Sequence, residues 1–66
     1  MYFDGKTLTA ILSDAATEAA AGPAIAATRR RFTSPLALVE AVLALGPGGD
    51  QRVLDFLDAS GIEIRD

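Results

Sequence analysis

The sequence contains no cysteine, no histidine and no tryptophan. Without cysteine it has no disulfide framework, no thiol nucleophile and no thiolate zinc site. Without histidine it has no Ser-His-Asp triad, no Cys-His dyad and no imidazole ligand for a transition metal. Catalysis would have to rest on carboxylates, hydroxyls, Lys or Arg. The chemistry best suited to those groups is a hard divalent cation held by Asp and Glu. Long apolar runs are also missing. The longest, Pro35 to Leu45, is too short to cross a bilayer and carries Glu40. The start, Met1-Tyr2-Phe3-Asp4, has no basic region leading into an apolar stretch, so it does not read as a signal peptide. The expectation is a cytoplasmic protein with no membrane partner.

What is present is 66 residues, half of them apolar, with a net charge of −3. The acidic balance argues against nonspecific nucleic-acid binding but leaves room for a local basic patch. The length allows one domain, residues 1–66. A domain of about 60 residues buries only about 60% of its unfolded surface. The apolar content leans on Ala, and no disulfide or zinc staple is available. The expected partner is therefore a second copy, giving a homodimer.

Met1-Tyr2-Phe3 ends at Asp4-Gly5 and reads as a buried strand running into a turn. Leu8, Ile11 and Leu12 fall at helical spacing over Lys6–Leu12. Ser13 or Asp14 suits the N-cap of a second helix through Ala21, which Gly22-Pro23 interrupts before a kinked continuation to Thr28. Arg31 to Thr33 reads as a second strand. Ser34-Pro35 starts a helix to Leu45, which Gly46-Pro47-Gly48-Gly49 ends. That glycine-rich stretch lacks the Lys-Ser/Thr of a P-loop and reads as a helix–helix turn. Asp50 is expected to cap a fourth helix, with Val53, Leu54 and Leu57 inward and Phe56 flanking them. Ser60-Gly61 ends it, and Ile62-Glu63-Ile64-Arg65 alternates like a strand with one buried face. The order β-α-α-β-α-α-β predicts an α/β fold with a three-stranded parallel sheet and four helices covering both faces.

Two carboxylates stand out. Glu40 is the one charge in the third helix, and its neighbours three and four residues away, Leu36, Ala37, Leu43 and Ala44, are all apolar. By pattern it does not lie on a solvated face. It reads as a functional acid, as half of a structural ion pair, or as a charge on a narrow wet edge. Asp4 ends the first strand, and ligands of open α/β folds bind beyond the carboxyl ends of strands; alternatively it is a turn residue before Gly5. The helix bearing Glu40 starts at the same end of the sheet. Arg29, Arg30 and Arg31 form a basic cluster at a helix end, read either as partners of helix-end carbonyls or as contacts for RNA phosphates. No aromatic platform is interleaved with them.

Met1-Tyr2-Phe3-Asp4-Gly5-Lys6-Thr7-Leu8-Thr9-Ala10-Ile11-Leu12 resembles the opening of PIN domains, especially VapC-type toxins of toxin–antitoxin systems. Thr33-Ser34-Pro35-Leu36-Ala37-Leu38-Val39-Glu40-Ala41 is similar to their second motif, and Asp50 to Arg65 to their fourth helix and third strand. The resemblance spans nearly the whole chain and rests on motif order and spacing. PIN domains are metal-dependent ribonucleases in which acids hold Mg²⁺ or Mn²⁺. The resemblance implies Asp4 as the first acid and Glu40 as the second. The remaining acids of the family lie beyond its third strand, past Asp66 here. Where the family tends to carry Ser or Thr two residues after the first Asp, this sequence has Lys6, whose ammonium is expected to pair with Asp4 or Glu40 where a metal would stand.

These readings combine into one expectation: a truncated, non-catalytic PIN-like domain without a cofactor, acting as a dimerising or toxin–antitoxin-type association module. Its partner would be a second copy, an antitoxin segment or a full-length PIN protein. The implied strand order leaves the first strand as an open edge, and two such edges are expected to pair antiparallel about a twofold. The competing expectation is a Mg²⁺- or Mn²⁺-dependent ribonuclease acting on RNA, its acidic site completed by a partner chain. A small α/β interaction domain unrelated to PIN proteins is the third.

Overall fold

Three helix starts are set by side-chain caps that satisfy free backbone donors. A computed structural model describes all residues, Met1–Asp66. Asp4 accepts from the Thr7 N–H at 2.7 Å and opens α1 (Gly5–Leu12). Asp14 accepts from the Thr17 N–H at 2.8 Å and opens α2 (Ala15–Ala26). Ser34 accepts from the Ala37 N–H at 3.1 Å and opens α3 (Pro35–Leu45), with Pro35 in its first turn. The fourth helix, α4 (Gly49–Ser60), differs from expectation. Its cap is Gly48 at φ 81°, not Asp50, which lies in the first turn. The chain must turn back within a few residues of Leu45, and a left-handed glycine makes that turn without a Cβ clash.

The strands are short: β1 is Tyr2–Phe3, β2 is Phe32–Thr33 and β3 is Glu63–Ile64. They form a parallel sheet in the order β1-β2-β3, with Tyr2 beside Phe32 beside Glu63 and Phe3 beside Thr33 beside Ile64. The fold is thus α/β with a three-stranded parallel sheet and four helices, in the order read from the sequence. The first strand is an edge of this sheet. Thr33 is fully buried, and its hydroxyl donates to the Phe3 carbonyl at 2.7 Å, tying the central strand to that edge.

One apolar cluster joins Phe3, Leu8, Ile11, Leu12 and Ile25 to Ala37, Ala41, Val53, Phe56, Leu57 and Ile62. Helices do not cover both faces of the sheet as expected. The row Tyr2–Phe32–Glu63 points away from the core, with Tyr2 exposed and its ring 5.6 Å from Phe32. In α4 the inward residues are Val53, Phe56 and Leu57; Leu54, one residue and about 100° round from Val53, is half exposed beside α3. Of the segment Ile62 to Arg65 only Ile62, just before β3, is buried, while Ile64 is about half exposed at the sheet's other edge. Pro23 does not end α2, which continues to Ala26. A proline there removes one amide donor, and Ala19, whose carbonyl that donor would have met, is exposed to water, which can satisfy it.

Candidate functional site

Asp4 stands at the carboxyl end of β1, and Glu40 projects from the second turn of α3. Glu40 lies against Gly5, the residue that follows Asp4. A Cβ placed on Gly5 would sit 2.6 Å from Glu40 Cβ and 3.2 Å from its Oε1. Gly5 is itself buried, so α1 and α3 meet here without an intervening side chain. Lys6, Thr9, Ala10 and Ser13 of α1 and Ala44 of α3 continue this contact as an open groove of about 380 Å³, with Glu40 on its wall.

The chemistry of the groove is modest. The Asp4 carboxylate is occupied as the α1 cap. Hydrogen bonds from Thr7, the backbone N–H foremost, hold its pKa below the ordinary value of 3.8, and the charge of Lys6 adds to this. The Thr9 hydroxyl donates to the Gly5 carbonyl and the Ser13 hydroxyl to the Ala10 carbonyl, both at 2.7 Å, so neither is poised as a nucleophile. Lys6 does not form the expected ion pair. The one salt bridge in the chain is Arg65–Glu63 at 2.9 Å, on the exposed row of the sheet. Glu40 also departs from its reading as a carboxylate off the wet face. It is exposed, because the apolar neighbours that made it look enclosed, Leu36 and Leu43, are themselves exposed.

A hard divalent cation needs about six oxygen ligands and a matching count of negative charge. Here Glu40 shares a groove with the Lys6 ammonium, and the nearby Asp4 carboxylate already caps a helix. No group of three or more acids forms anywhere in the chain. The residues present do not fit a Mg²⁺ or Mn²⁺ site, and no step is derived through one.

The basic cluster divides. Arg31 donates to the Ile25 carbonyl at the end of α2, at 3.3 Å, and its guanidinium lies 3.7 Å from where a Cβ on Gly61, the C-cap of α4, would stand. This is the helix-end role, because guanidinium donors satisfy terminal carbonyls and oppose their partial negative charge. Arg29 and Arg30 are exposed; the Arg30 carbonyl accepts from the N-terminal ammonium of Met1. The aromatic pair the fold assembles, Tyr2 and Phe32, is covered instead by Arg65, whose guanidinium carbon lies 5.1 Å from the Phe32 ring centre.

A different surface went unnoticed in the sequence. On α3 the fully buried residues are small, Ala37 and Ala41, so the helix lies close against α1 on its alanine face. Its large residues are turned outward, with Leu36 70%, Val39 54% and Leu43 76% exposed. Between α3 and α4 lies a groove of about 230 Å³ lined by Leu38, Val39, Val42, Leu43, Val53 and Leu54, with Asp50 at its edge. The signal was available in part, since Leu36, Val39 and Leu43 are spaced three and four apart, as are Ala37 and Ala41.

Compared with known proteins, the chain matches no family model, no curated protein and no solved structure.

Proposed function

We propose that this chain is a PIN-like association module that binds a protein partner through α3 and α4 and does not hydrolyse RNA. The observation that carries the reading is the exposed apolar face of Leu36, Val39, Leu43 and Leu54 beside the α3–α4 groove. Contiguous aliphatic surface of this kind, edged by the charges of Glu40 and Asp50, marks a protein contact. The chemistry around Asp4 supports the same reading, because its carboxylate is engaged by Thr7 and its neighbour Glu40 shares its groove with Lys6. The PIN resemblance rests on the motifs around Asp4 and Glu40 and on the β-α-α-β-α-α-β order.

The competing reading, a Mg²⁺- or Mn²⁺-dependent ribonuclease completed by a partner chain, draws on the approach of Glu40 to Gly5, next to Asp4. The two part in a cleavage assay on structured and single-stranded RNA with either cation, using Asp4→Ala and Glu40→Ala as controls. The association reading expects no metal-dependent cleavage. Cleavage that needs the cation and is lost in both variants would overturn it.

A further inference from the structure

We infer that the α3–α4 face takes a basic amphipathic helix of a partner protein, its aliphatic stripe laid along the groove and its Lys or Arg side chains set against the acids on either margin. This deepens the association reading by giving the partner's chemistry, and it rests on that reading. The exposed row Leu36, Val39 and Leu43 climbs about two turns of α3, roughly 10 Å. Leu54 is exposed on α4, and the groove of about 230 Å³ runs between it and the row. That volume falls below the span of about 300–1,000 Å³ typical of small-molecule sites. A short aliphatic row beside a narrow apolar groove matches what one helix presents on a single face, at spacings of three, four and seven residues.

Charge gives the sign of the partner. The charges that border the face are acids. Glu40 follows Val39 on the outer margin of α3, and Asp50 lines the groove. Asp50 and Asp58 lie four residues before and after Leu54, and both are exposed. The six cations are engaged or stand elsewhere. Arg31 and Arg52 donate to the Ile25 and Leu12 carbonyls, and Arg65 pairs with Glu63. Arg29 and Arg30 precede β2, and Lys6 lies on α1 in the groove beyond Glu40. None of them lines the α3–α4 groove.

The same acids disfavour the other occupants. Two copies meeting here set Glu40 and Asp50 near their like, on chains of net charge −3. Self-contact is then a brief encounter, one that a disulfide can trap, and not a stable dimer. An anionic lipid surface is repelled in the same way.

Two labelled peptides of about 18 residues, long enough to form a helix, test this by fluorescence anisotropy. Both carry the same Leu and Val stripe, flanked by Lys in one and by Glu in the other. The Lys peptide is expected to bind the wild type with a micromolar dissociation constant. The Glu peptide is expected to bind at least about tenfold more weakly, with the gap narrowing at about 1 M salt. Leu43→Ser should weaken the Lys peptide, and Asp50→Lys with Asp58→Lys should reverse the preference, which an unfolded variant would not do. Equal binding of both peptides to the wild type overturns the inference and leaves the association reading standing. So does a preference that the double variant keeps, or Lys-peptide binding that Leu43→Ser leaves unchanged. A wild type that sediments as a stable dimer at micromolar concentration assigns the face to a second copy, and flotation with phosphatidylglycerol vesicles assigns it to a membrane; either overturns the inference. Binding of neither peptide defeats the association reading along with it.

Discussion

Glu40 and Gly5 are in such close contact that a Cβ on Gly5 would lie 2.6 Å from Glu40 Cβ. The contact sets the spacing of α1 and α3 at the carboxyl end of β1, and it draws Glu40, which stands four residues from Leu36 and three from Leu43, toward the α1 side.

Gly5→Ala therefore forces the two helices apart. In a helix alanine is otherwise the better residue by about 1 kcal/mol, yet overpacking typically costs about 1–3 kcal/mol, and the obstruction here is a Cβ fixed to a helix backbone. Urea denaturation is expected to show net destabilisation of the variant. Glu40→Ala keeps the obstructing Cβ and should not relieve the loss, whereas Glu40→Gly should relieve part of it in a double-mutant cycle. Relief by Glu40→Ala would trace the strain to the carboxylate instead.

The caps make stability depend on acid. Asp4 and Asp14 both have pKa values below the ordinary 3.8, chiefly because backbone N–H groups of Thr7 and Thr17 bond the charged carboxylates. A folded-state pKa below the unfolded value adds stability that is present above the unfolded pKa and is lost as pH falls through the folded one. The urea midpoint is thus expected to fall between about pH 4 and pH 2. Asn caps a helix about as well as Asp but does not titrate, so Asp4→Asn with Asp14→Asn should flatten this part of the profile. An unchanged acid slope in the double variant would show that other carboxylates carry it.

The three arginines should behave unequally. Arg31→Ala removes a donor to the Ile25 carbonyl, for an expected loss of about 1 kcal/mol. Arg29→Ala and Arg30→Ala, at exposed positions, should stay within about 0.5 kcal/mol of the wild type. Thermal melts of the three variants check this ordering, and equal losses would place the basic cluster in one shared structural role.

Much of the fold was legible because local chemistry decided it. Asp4, Asp14 and Ser34-Pro35 are strong helix starts, and each opens its helix as read. The α/β order followed from them. What was not legible was the facing of α3. Ten of the eleven residues of Pro35–Leu45 are apolar, so periodicity has no polar side to work from. The choice was made by size: Ala37 and Ala41 let α1 approach, and Leu36 and Leu43 were left outside. The misreading of Glu40 followed, since apolar neighbours imply burial only when they are themselves buried. Leu54 was read inward for a similar reason; Phe56 fills that part of the core because it shares a helix face with Val53. The expectation that both sheet faces are covered rested on a strand too short to show alternation, Tyr2–Phe3.

The central claim is that the chain associates through the exposed aliphatic face of α3 and α4, and the absence of any native cysteine makes one measurement direct. Val39→Cys places a single thiol on that exposed face, and Tyr2→Cys places one on the β1 edge. Under mild oxidation at equal concentration, followed by non-reducing gel electrophoresis, Val39→Cys is expected to convert mostly to a covalent dimer while Tyr2→Cys remains a single chain. Efficient cross-linking of Tyr2→Cys with none at Val39→Cys would contradict the account and assign the contact to the sheet edge.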